Sequence, residues 1–196
     1  MAAASRAASP PDPLATKPGG LPITHCFSLP VRIRILCIAI VLLATASFSR
    51  AGWKAGDRLP DLASFKLEGP LPGELKGHVM LVDFWASWCA PCKASFPAME
   101  KLESDFRQRG LTILAISVDD QRENMERFVK STGVSFAIVR DANHKLVAAA
   151  DVQAMPTSFL IDRSGKIRFV HPGFRGDLTV KEYRDEIETL LKEPAP

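Results

Sequence analysis

The pentapeptide Trp88-Cys89-Ala90-Pro91-Cys92 ends a run, Val79 to Trp85, that is apolar except for Asp83, and it opens an amphipathic stretch beginning at Ala90. A run of this length and composition reads as a buried central strand. The chain is therefore committed to a strand, a tight turn and a helix, with two sulfurs at the junction. Only a thiolate attacks a disulfide, so the first cysteine needs a lowered pKa. The first turn of a helix supplies unpaired N–H groups and the positive end of the dipole. Cys92 lies three residues on, on the same helical face, where its sulfur can reach Cys89 and resolve a mixed disulfide. Pro91 fits the first turn, where a missing N–H is no loss.

The chain has four cysteines. Cys26 and Cys37 fall in an N-terminal leader, so Cys89 and Cys92 are the pair left to a mature domain. The rival reading is half a zinc site, which needs further Cys or His ligands. No cysteine follows Cys92, and His144 and His171 stand alone in the sequence. Neither a metal nor an organic cofactor is expected.

Residues 1–51 read as a disordered extension plus a signal peptide or membrane anchor. The first 30 residues are rich in Ala, Pro and Ser without periodicity. Arg32 and Arg34 then precede an uncharged run, Ile35 to Ser49, and small residues follow at Ala44-Thr45-Ala46 and Ser49-Arg50-Ala51. A basic flank, an apolar core and an A-x-A-like site describe a secretory signal. The run is short for a span of ~20 apolar residues, and an uncleaved anchor is the alternative. The leader carries five Lys+Arg and one acidic residue, a net of +4, against 20 Lys+Arg and 21 Asp+Glu in residues 52–196, a net of −1. The basic character thus belongs to the leader, and the remainder has no basic field for nucleic acid. Residues 52–196 suffice for one domain with its own core.

Within that domain the patterns alternate. After the Val79 to Trp85 strand, Phe96, Met99, Leu102 and Phe106 make a helical stripe over residues 90–109, with Pro97 predicting a kink and Gly110 a stop. Leu111 to Val118 reads as a strand, 121–132 as a helix with Met125, Phe128 and Val129 on one face, Ser135 to Val139 as a short strand, and 142–150 as a short helix. Thr157 to Ile161 and Ile167 to Val170 read as a hairpin about Asp162-Arg163-Ser164-Gly165. A last helix is predicted with Thr179 as N-cap, Glu182 closing a capping box, Leu178 and Tyr183 as staple, and Val180, Tyr183, Ile187, Leu190 and Leu191 as its buried stripe. The fold class is α/β, a sheet covered on both faces by helices.

The segment Leu81-Val82-Asp83-Phe84-Trp85-Ala86-Ser87-Trp88-Cys89-Ala90-Pro91-Cys92-Lys93 resembles the active-site segment of thioredoxins. Phe96-Pro97-Ala98-Met99-Glu100 and Met155-Pro156-Thr157-Ser158-Phe159-Leu160-Ile161-Asp162 resemble the TlpA/ResA group. The resemblance spans about residues 55–192. It implies a thioredoxin fold, with a central mixed β-sheet flanked by helices and a mid-domain strand-helix insertion matched by residues 134–150. It further implies a periplasmic or membrane-tethered protein of the bacterial envelope. Such a protein reduces cysteines of apocytochromes c, copper-site proteins or other envelope targets, and is recharged by a membrane thiol donor of the DsbD or CcdA kind. The membrane itself is a partner only if the leader stays uncleaved. By the same resemblance Cys89 is the nucleophile, Cys92 the resolving thiol, and Pro156 a cis-proline facing them, with position 155 presenting backbone to an extended substrate strand. Trp88 resembles the exposed tryptophan that contacts substrate.

Asp83, embedded among apolar residues, is expected to be buried with a raised pKa, as suits a proton acceptor for Cys92. Thioredoxins often pair this aspartate with a lysine on the neighbouring strand, but that position is Ala115 here, and a purely structural carboxylate is the alternative. Lys93 is either solvated surface or an aid to the Cys89 thiolate. Two other functions compete with thiol-disulfide exchange. A copper-handling assembly factor would use the two cysteines as soft ligands, and a peroxiredoxin-like peroxidase would need a Pro-x-x-x-Thr/Ser-x-x-Cys pattern that Cys89 lacks.

Overall fold

The computed structural model describes residues 52–73 and 75–194, and the signal or anchor assigned to residues 1–51 lies outside them. The strand that opens the architecture, β1 (Val79–Trp85), is buried at all seven positions. It therefore needs cover on both faces and a neighbour on each side. On one side it runs parallel to β2 (Leu111–Ser117), which is parallel to β3 (Ala137–Arg140). On the other side β4 (Thr157–Ile161) runs antiparallel to it, followed by antiparallel β5 (Ile167–Pro172). Among the described residues these form one mixed sheet in the order β3-β2-β1-β4-β5.

Among the described residues four α-helices connect and cover the strands: α1 (Ala90–Phe106), α2 (Arg122–Thr132), α3 (Lys145–Ala150) and α4 (Asp177–Lys192). The predicted stripe of α1 is its buried face, and the helix runs through Pro97 into a short 3-10 turn that Gly110 ends at φ 100°. Phe96 packs edge-on against Trp85, Phe128 and Phe136 at centroid distances of 4.6, 5.0 and 5.4 Å. Each such pair contributes about 0.5–1.5 kcal/mol beyond area burial, which fixes α1 on β1. Asp141 caps α3, its carboxylate accepting from the backbone N–H groups of Lys145, Leu146 and Val147.

The start of α4 differs from its sequence reading. The helix begins at Asp177 with Gly176 as N-cap. Thr179 is buried in the first turn, where its hydroxyl accepts from the Arg175 N–H. Glu182 pairs with the Arg175 guanidinium instead of closing a capping box. Leu178 is 63% exposed and makes no staple, while Tyr183 turns into the core. The acidic residue at Asp177, favourable to the dipole, lets the helix start three residues earlier. Smaller differences affect β3, which begins at Ala137, and α3, which begins at Lys145 after the Asp141 turn.

The segment ahead of β1 belongs to the same core. Trp53 packs edge-on against Phe84 and Phe159. Its backbone then meets the sheet on both margins. Gly56 and Leu59 donate to the carbonyls of Ile167 and Gly165, and Ile167 donates to Asp57. Farther on, Glu68 and Arg140 exchange backbone bonds of 2.9 and 2.8 Å beside β3. No helix of the described residues is long and apolar enough to cross a membrane.

Candidate active site

Trp85 ends β1, and the chain turns through Ala86 to Trp88 before α1 begins. Three buried or half-buried polar groups hold this turn. The Asp119 carboxylate accepts from the Ser87 N–H at 2.9 Å, the Ser87 hydroxyl at 2.7 Å and the Ser117 hydroxyl at 2.8 Å. Asp119 is itself buried just past β2, so the turn is clasped to the end of the neighbouring strand. A carboxylate with three donors is well compensated for its lost hydration.

Cys89 is the N-cap of α1, with extended backbone and its Sγ accepting from the Cys92 N–H at 3.2 Å. The two sulfurs are joined in a disulfide. Their surroundings differ. Cys89 is 6% exposed and lines a groove, whereas Cys92 is completely buried. The helix-terminal N–H groups and dipole favour negative charge on the Cys89 sulfur once the bond is opened. The Lys93 ammonium lies 5.7 Å over the Phe128 ring.

The groove, about 430 Å³, is lined by Trp88, Cys89, Pro91 and the segment Val152 to Met155. Trp88 is 69% exposed on its rim. Met155 is joined to buried Pro156 by a cis peptide bond. Of the residues singled out from the sequence, Trp88, Cys89 and Met155 thus share this groove, Pro156 adjoins it, and Cys92 and Asp83 are not among its lining residues.

Asp83 is buried at mid-β1, and burial pushes its carboxyl up to about 7, opposed in part by a hydrogen bond from Ser158. The register sets Ala115 opposite it on β2 and Ser158 opposite it on β4. The strand position where a lysine was considered thus carries a methyl group. The Ser158 hydroxyl donates to Asp83 Oδ1 at 2.5 Å and also meets the Tyr183 hydroxyl at 2.7 Å. Asp83 Oδ2 has no hydrogen-bond partner. Ser158 and Tyr183 were not read from the sequence as site residues. Their signals were a serine one residue inside the buried strand run Thr157 to Ile161 and the one tyrosine of the chain. The Ser87–Ser117–Asp119 clasp was likewise missed. Among the described residues no three or more His, Cys, Asp or Glu side chains gather in a way that could hold a metal ion.

A mixed sheet with a CxxC disulfide at the start of the helix after its central strand, beside a cis-proline loop, defines a thioredoxin-fold thiol-disulfide oxidoreductase. The Redoxin family profile matches residues 54–187. Thiol-disulfide oxidoreductase ResA of Bacillus subtilis is 31% identical over 165 residues, covering 81% of this chain and 92% of its own. The ResA of Halalkalibacterium halodurans is 30% identical over 165 residues, covering 81% and 94%. Among solved structures, a Chlorobium tepidum protein described as a thiol:disulfide interchange protein DsbE superposes with a TM-score of 0.66 at 32% identity, covering 71% of this chain and 99% of that one. The chain belongs to the Redoxin family, and within it to the TlpA/ResA-like thioredoxin-fold oxidoreductases.

Proposed function

We propose that this oxidoreductase is exported by its N-terminal leader and acts as a reductase of protein disulfides in the bacterial envelope. Its targets would be cysteine pairs of apocytochromes c or copper-site proteins. The observation that carries the reading is the asymmetry of the two sulfurs, one on the wall of an apolar groove and one buried behind it. The Cys89 thiolate attacks one sulfur of the target disulfide. That bond breaks, the first target sulfur leaves as thiolate, and a Cys89–target mixed disulfide forms. Cys92 then gives its proton to Asp83, and the resulting thiolate attacks Cys89 Sγ. The mixed disulfide breaks, the Cys89–Cys92 bond forms, and the second target sulfur leaves. Two electrons have passed to the target. Trp88 and the Met155–Pro156 backbone would hold the target strand beside Cys89.

The direction rests on the Ala90-Pro91 pair, which offers the thiolate no cation, and on Lys93, whose ammonium sits over Phe128. A modestly stabilised thiolate makes a stable disulfide, so the potential is expected nearer ~−270 mV than the ~−120 mV of a strong oxidant. The spent disulfide is then recharged by a membrane thiol donor of the DsbD or CcdA kind. Two experiments test this. Cys92→Ser should trap envelope proteins as mixed disulfides for identification. Equilibration with glutathione should leave the protein largely oxidised in a mildly oxidising buffer, and a mostly reduced protein would favour a disulfide-forming role instead.

A further inference from the structure

A hydroxyl chain runs from the buried carboxylate on β1 across β4 to α4. Ser158 faces Asp83 across the β1/β4 register, and Tyr183 reaches the same hydroxyl from α4. All three are buried, with exposures of 1%, 0% and 1%. Proton counting fixes the direction of the chain. An ionised carboxylate only accepts, so Ser158 must spend its one proton on Asp83 Oδ1. The Ser158 oxygen is then an acceptor only, and the Tyr183 O–H must donate to it. Both dipoles thus point at Asp83, and each bond in such a chain strengthens the next. Oδ1 is occupied, while Oδ2 is buried without a partner. An incoming proton can be accepted at Oδ2 without breaking the chain.

We propose that Ser158 and Tyr183 are positioning residues for thiol-disulfide exchange: they orient Asp83 so that Oδ2 takes and returns the Cys92 proton, and they keep the carboxylate ionisable inside an apolar core. The proposal rests on the reading of Asp83 as proton acceptor. The hydroxyl pair does the work of the absent cation, since the β2 position opposite Asp83 is Ala115. The charged and titratable neighbours are few. Burial raises the Tyr183 phenol most, followed by Asp83, with Glu186 and Glu182 on α4 adding to it. His171 on β5 stacks edge-on against the Tyr183 ring at 5.0 Å and pairs with Glu186 at 2.7 Å. The phenol therefore stays protonated throughout the working range, as a fixed donor must.

The test uses the reduced protein and the small aromatic disulfide 5,5′-dithiobis(2-nitrobenzoate), whose two coloured thiolates are released in sequence. The first release reports attack by Cys89, and the second reports resolution by Cys92. In the wild type the second rate should rise with pH through about 7 as Asp83 ionises. Ser158→Ala should move that rise upward by roughly one pH unit and slow the second phase about tenfold near pH 6, with the first phase unchanged. Tyr183→Phe should move it less, in the same direction, and Ser158→Thr should restore it. In Asp83→Asn the rise near neutrality should vanish, leaving only titration of a buried thiol above ~8.5. Adding Tyr183→Phe to that variant should then change nothing. If Asp83→Asn abolishes the rise while Ser158→Ala and Tyr183→Phe keep it in place, the positioning role is wrong and the acceptor reading stands. If Asp83→Asn leaves the second phase unaltered, both fall. Should Ser158→Ala fail to fold, Tyr183→Phe, which keeps the ring, decides alone.

Discussion

Replacing Asp83 with asparagine should make the oxidised protein more stable at neutral and alkaline pH, by an amount that grows with pH until the folded carboxyl, at about 7, is fully ionised. Burial raises the carboxyl from 3.8 to about 7 in the folded chain. Between those values the folded state holds a proton that the unfolded chain has released. Stability therefore falls as pH rises from about 4 to about 7, at up to ~1.4 kcal/mol per unit, and stays low above that. The interval is about three units, so the accumulated loss is about 4 kcal/mol. Asparagine cannot ionise, yet its oxygen can still accept from Ser158. Its buried amide nitrogen takes the place of Oδ2 without a partner, at a cost of ~1–3 kcal/mol that does not depend on pH. The stability difference, variant minus wild type, should thus climb by about 4 kcal/mol between about pH 4 and 8 and then level off. Urea unfolding of both oxidised proteins at a series of pH values measures this directly, because every other titrating group cancels in the difference. A difference flat to within about 1 kcal/mol over that range would refute the claim that Asp83 is destabilised as a carboxylate.

Three further expectations concern the sulfurs, the turn before them and the leader. In the reduced protein Cys89 should alkylate well before Cys92, with a thiolate pKa below the free value of ~8.5, and equal rates at neutral pH would count against their assignment. Asp119→Ala should cost about 2–4 kcal/mol by denaturant unfolding, because it strips the partners from Ser87 and Ser117 together, and it should slow exchange by loosening the turn before Cys89. The leader should be removed after Ala46 or Ala51, as N-terminal sequencing of the chain isolated from its native cells would reveal, and a mature chain beginning before Ile35 would refute processing.

Strands β1 and β4 could be read to the residue because a strand buried on both faces leaves a nearly continuous apolar run, interrupted here only by Asp83 in β1 and by Thr157 and Ser158 in β4. Helix α1 was equally legible from Phe96, Met99, Leu102 and Phe106. The start of α4 was not. A threonine followed three residues later by a glutamate satisfies the capping pattern, but the competing Asp177 and the Arg175–Glu182 pair decide the boundary in three dimensions. Cys89, Cys92 and Pro156 announced themselves through local spacing and motif. The partners of Asp83 did not, because Ser158 is 75 residues away and meets it only through antiparallel register. Tyr183 was assigned to a buried stripe, which is correct for its ring and silent about its hydroxyl. The Asp119 clasp was hidden for the same reason, since it joins the ends of two parallel strands that lie 32 residues apart.

The strap ahead of β1 has a consequence for how the protein meets its clients. A protein disulfide is reached by handling extended polypeptide, and any bare sheet margin offers such a chain a second place to pair. Here Glu68 occupies backbone positions along β3, tied down by the guanidiniums of Arg140 and Arg122 at 2.7 and 2.8 Å. Residues 56–59 do the same beside the start of β5. The two margins are thus partly covered by the protein's own chain, which leaves an extended polypeptide fewer edges to pair with away from the groove at Cys89. Loosening the strap, at Glu68 for example, would uncover the β3 margin and open a second place where extended chains can pair and aggregate.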